Sequence, residues 1–119
     1  MSSSAHYEEI LAKQIAMNRS TWDSLQKHGI TEESQVELEF SYNAPSQKSA
    51  DGMCALIKEQ TDYDARTVSS GLFFNRKWRV EGHTQQTAVS AAILDQWVTW
   101  MVAAGRERGC DFDGWGTSV

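Results

Sequence analysis

The chain has 119 residues, 40% apolar and 23% charged, with a formal net charge of −5. That length gives one domain around a single core, and the acidic balance argues against broad nucleic-acid binding, which needs Lys and Arg to neutralise phosphates. Five Trp against one Pro favour a packed fold over a disordered chain, because aromatic side chains supply the most burial per residue.

Residues 4–28 are predicted to form a long helix. Leu11, Ile15, Asn18, Trp22 and Leu25 recur at spacings of four and three, and Tyr7 and Ile10 extend the stripe. Gly29 is the expected stop. At 1.5 Å per residue such a helix reaches about 37 Å, so its first turns are expected to overhang a small domain and pair with a second copy, giving a homodimer. The opening residues carry neither the basic stretch nor the apolar run of a signal peptide. No segment approaches the roughly 20 apolar residues of a membrane span. A cytoplasmic protein, with no membrane contact, is expected, with Cys54 and Cys110 as small buried hydrophobes rather than a disulfide.

After a polar connector, Val36, Leu38, Phe40 and Tyr42 alternate with Glu37, Glu39 and Ser41, the pattern of a half-buried strand. Pro45 opens a helix over 46–60 that buries Met53, Leu56 and Ile57. Residues 63–68 and 77–83 read as a hairpin with a long join; Trp78 and Val80 face the core, opposite Lys77, Arg79 and Glu81. A second strong helix spans 88–108, with Ile93, Leu94, Trp97, Val98, Met101 and Ala104 on its apolar stripe. Gly109 ends it, and 110–117 form the last strand. The order predicts an α+β, ferredoxin-like βαββαβ sandwich: a four-stranded antiparallel sheet over residues 35–119 with an extra N-terminal helix over 1–29, all in a single domain, 1–119.

In that topology the first strand lies between the third and the fourth. Period-two alternation then sets Glu37 and Glu39 opposite Lys77 and Arg79 on the open face. Asp111, Asp113 and Trp115 share one parity and extend the two glutamates into an acidic patch bordered by an indole. Trp anchors dominate many interfaces and carboxylates steer basic partners, so Glu37, Glu39, Asp111, Asp113 and Trp115 form the expected partner-binding surface. The other reading makes Trp115 a cap on the sheet edge, with Gly114 and Gly116 permitting a bulge that resets the facing.

The ending Phe112-Asp113-Gly114-Trp115-Gly116-Thr117 resembles the end of the regulator of ribonuclease E activity B family. Leu25 followed by Gly29, the strand 36–42, the helix carrying Ala55 to Glu59, and Leu94-Asp95 fall in matching order. The resemblance implies a ferredoxin-like fold and a non-enzymatic protein that inhibits an endoribonuclease by binding it, with the ribonuclease or its complex as partner.

Two other binding readings remain open. A βαββαβ sheet with Phe74, Arg76 and Arg79 invites comparison with RNA-binding modules, although the pattern of their sheet aromatics is missing. An immunity-type neutraliser of a basic nuclease would use the same acidic surface. Catalysis is less well supported: His6, His28 and His83 are scattered without metal-ligand spacing to the cysteines, and no phosphate loop or nucleophile elbow is present. Asp111 and Asp113 alone are a weak metal signal, and His83-Thr84 reads as a solvated turn. No enzyme, cofactor or metal is expected.

Overall fold

The structure, a computed structural model, describes residues 4–118. The elements run α1 (Ser4–Lys27), β1 (Gln35–Val36), β2 (Glu39–Ala44), α2 (Gln47–Gln60), β3 (Asp64–Ser70), β4 (Lys77–His83), β5 (Thr87–Ala88), α3 (Ala91–Glu107) and β6 (Asp111–Gly116). Strands β3-β4-β2-β6 form one antiparallel sheet in that order. This is the βαββαβ arrangement expected of a ferredoxin-like sandwich, with α1 added.

Two boundaries move, each for a local reason. The expected strand 36–42 divides, because Val36 pairs with Thr87 in a separate two-stranded ribbon, β1–β5, while β2 joins the main sheet. Between them Leu38 keeps its alternation and bonds to Thr84: the Thr84 amide donates to the Leu38 carbonyl at 2.8 Å, and the Thr84 hydroxyl accepts from the Leu38 amide at 3.0 Å. Thr84 is therefore buried, not part of a solvated turn. The last helix starts later than expected, at Ala91, because Ser90 caps it, its hydroxyl accepting from the Ile93 amide at 3.1 Å.

Helices α2 and α3 cover one sheet face. Phe40, Tyr42, Val80 and Phe112 meet Met53, Ile57, Val98 and Met101 in the main core. Tyr42 donates to the Met101 carbonyl at 2.6 Å, which satisfies its hydroxyl inside the core. Gly82 is required by close approach, since a Cβ there would lie 2.6 Å from the Phe40 ring and 2.1 Å from the Asp64 carbonyl oxygen. A second cluster, Trp22, Leu25, Val36, Leu38, Val89 and Leu94, fills the space between α1, α3 and the small ribbon. Trp97 and Trp115 pack against both clusters and join them.

Helix α1 runs antiparallel to α3 and buries Tyr7, Gln14, Asn18, Trp22 and Leu25. Gln14 replaces Ile15 at the centre of the expected stripe, so two amides lie on the packed face. The first turns do not overhang. Arg106 stacks over Tyr7 at 5.4 Å and donates to the Ser4 hydroxyl at 2.9 Å. These contacts seat the first turns on the end of α3, which answers the length argument for a second chain.

Candidate functional site

The helices leave the other sheet face uncovered, and the charged residues of the strands collect there. The antiparallel register brings the start of β2 to the end of β4: Glu39 lies opposite His83, and Arg79 opposite Asn43. Glu37 and Glu39 therefore do not face Lys77 and Arg79 as expected. The partner of Lys77 within the sheet is Ser70. The pairing is antiparallel as expected, but its register is offset, so the start of β2 meets the end of β4 and Lys77 lies beyond the reach of both glutamates.

Two charge clusters result. At one end His83 is held between carboxylates, its Nδ1 2.7 Å from Glu37 and its Nε2 3.1 Å from Asp64. At the other, Arg79 sits 3.3 Å from Asp113 and 3.9 Å from Glu81, and Arg66 lies 3.7 Å from Glu81. Asn43 and Ser41 donate to Asp113 at 3.2 and 3.5 Å. These pairs are largely solvated, so each contributes about 0–1 kcal/mol; together they fix where the side chains stand. Asp111 turns instead to the sheet edge, where His6 of α1 meets it at 3.0 Å.

Glu39 differs from its neighbours. It is exposed and has no charged partner among the described residues. Gly116 opposite it leaves open space where a side chain would stand. Glu39, Ser41, Arg79, His83, Asp113 and Gly116 line a shallow concavity of about 900 Å³ on this face.

The aspartates and Trp115 part company. Phe112 pairs with Tyr42 but Gly114 pairs with Ser41, so Asp113 is an extra residue in β6. Gly114 makes this bulge with φ of 144°, a conformation open to glycine. The shift sets Trp115 opposite Phe40, on the core side, away from Asp113. Its Nε1 donates to the buried Asn18 Oδ1 at 2.8 Å, and Asn18 donates onward to Asp95 at 3.0 Å. Gln14 reaches the Asp113 carbonyl at 3.4 Å. The expected single-face patch thus loses its indole. Two amides of α1 hold the bulge from behind, and they were the missed signal: polar residues four apart inside an apolar stripe need partners.

The other candidates are dispersed. Phe74 stands in the β3–β4 turn, Arg76 lies over Trp78 at 5.8 Å, and Arg79 is engaged by Asp113. Phe40, Tyr42, Trp78, Phe112 and Trp115 all pack against the core, so the strands offer no aromatic platform for bases on the open face. Among the described residues no group of three or more His, Cys, Asp or Glu is placed to hold a metal ion. Cys54 and Cys110 are free and buried. Burial, with Asp111 and Cys54 beside it, pushes the Cys110 thiol from its ordinary 9.0 up to about 11, and burial likewise raises Tyr42.

The family model described as Regulator of ribonuclease activity B matches residues 15–117. The chain belongs to that family. The matched span takes in Asn18, Glu39, all four strands of the main sheet and the bulge at Gly114; the first turns of α1 lie before it. Regulation of ribonuclease activity is the function the family carries. No curated protein matches the chain. Among the described residues no helix is long and apolar enough to cross a membrane.

Proposed function

We propose that this protein regulates a ribonuclease by binding it, or a complex that contains it, through the open sheet face, without making or breaking a bond. Glu39 is the central contact, with Glu37 and Asp113 on the same face and Asp111 at the sheet edge, and Trp115 serves the surface by supporting the bulge from the core side. The observation that carries this reading is Glu39 itself: an exposed carboxylate without a charged partner among the described residues, set in a concavity where Arg79, Glu81, His83 and Asp113 are already held in ion pairs. A Lys or Arg of a partner supplies the missing countercharge. The fixed neighbours lower the ordering cost of association, and the partner is then sterically occluded.

The test is a titration of a purified endoribonuclease with wild-type protein and Glu39→Lys, after circular dichroism shows both folded. The charge reversal is expected to weaken inhibition on the order of tenfold or more, and added salt to weaken the wild type. Equal inhibition by both proteins would remove the open face from the function.

A further inference from the structure

The turn between β3 and β4 has a chemistry that ribonuclease binding does not use. Leu72, Phe73 and Phe74 are 80%, 86% and 91% exposed. The Asn75 amide bonds to the Leu72 carbonyl at 2.9 Å, closing a tight turn with the two Phe residues at its centre. Such positions are normally occupied by Asn, Asp, Gly, Pro or Ser. The Phe rings meet edge to face at 5.3 Å, so they form one apolar knob.

Charge is segregated around it. From residue 65 to residue 80 the chain has Arg66, Arg76, Lys77 and Arg79 and no Asp or Glu, within a molecule of net charge −5. Arg66 and Arg79 are paired with acids, whereas Arg76 and Lys77, next to the knob, make no ion pair among the described residues. The nearest acid along the arm, Glu81, is four residues below Lys77, about 13 Å at 3.3 Å per residue. That exceeds the Debye length of about 8 Å at physiological salt, and the nearer Asp113 is already held by Arg79, so the two cations keep their charge available.

We propose that this hairpin tip is an interfacial wedge that attaches the protein reversibly to an anionic phospholipid bilayer. The knob enters the headgroup boundary while Arg76 and Lys77 meet lipid phosphates. The geometry favours a bilayer over a protein pocket. Leu72 and the paired Phe rings are exposed together around one turn, and a fluid medium receives them all, whereas a rigid pocket would have to enclose the whole tip. No spanning helix is needed, and the proposal stands independently of ribonuclease binding.

Co-sedimentation with large unilamellar vesicles, either equimolar phosphatidylcholine and phosphatidylglycerol or phosphatidylcholine alone, tests it. Wild-type protein is expected to sediment with the anionic vesicles. Phe73→Ser/Phe74→Ser and Arg76→Gln/Lys77→Gln are each expected to lower that binding on the order of tenfold, with unchanged thermal midpoints because the tip lies outside the core. Failure of the wild type to sediment, as a tip that seats in a protein pocket would give, overturns the proposal. Equal binding by the serine variant overturns the wedge, and equal binding to neutral vesicles overturns the anionic selectivity.

Discussion

Two aromatic pairs in this molecule share one geometry and differ in everything around it. Trp97 and Trp115 meet edge to face at 6.1 Å, and Phe73 and Phe74 do so at 5.3 Å. The Trp pair joins two core clusters and is tied through Asn18 to Asp95. The Phe pair stands in solvent at a hairpin tip. Ring against ring adds only about 0.5–1.5 kcal/mol beyond area burial. What covers the rings therefore decides whether a pair stabilises the fold or remains available to a partner.

The contrast can be broken at its strongest point first. Trp115→Ala is expected to cost about 3 kcal/mol, combining lost burial with a stranded Asn18 amide, measured by urea unfolding; a loss below about 1 kcal/mol would return Trp115 to the surface role. Asn18→Ala removes the relay but leaves the rings, and about 1–3 kcal/mol is expected in the same assay.

Alkaline unfolding sharpens the same division. Cys110 and Tyr42 hold their protons more tightly folded than unfolded. The Cys110 contribution is fully present below pH 9.0 and is lost as pH rises toward about 11, while that of Tyr42 begins to be lost only above pH 10.0. Wild type and Phe73→Ser are expected to lose both in parallel, because the titrating groups lie in the core. The smallest effect belongs to the tip: Phe73→Ser should shift stability by less than about 0.5 kcal/mol at neutral pH.

Much of the fold was legible in the sequence. The alternation of Val36, Leu38, Phe40 and Tyr42 and the stripe from Leu94 to Ala104 identified the elements, and their order gave the sheet. The facing of Trp115 stood between two readings, and the bulge that Gly114 permits decides for the core side, because one extra residue at Asp113 inverts every side chain after it. Gly114 allowed that bulge without specifying where it falls. The partners of Glu37 and Glu39 depended on register, which long hairpin joins leave open. His83 was missed because its partners, Glu37 and Asp64, are distant in the chain and meet only across strands. Phe73 and Phe74 were visible as a cluster, but their exposure follows from the turn.

The most direct measurement is the affinity of a purified endoribonuclease for wild type, Glu39→Lys and Phe73→Ser/Phe74→Ser, by isothermal titration calorimetry. Weakened binding by Glu39→Lys, with the tip variant matching wild type, is the predicted result. Unchanged binding by Glu39→Lys would contradict the assignment of the open sheet face as the surface that meets the ribonuclease.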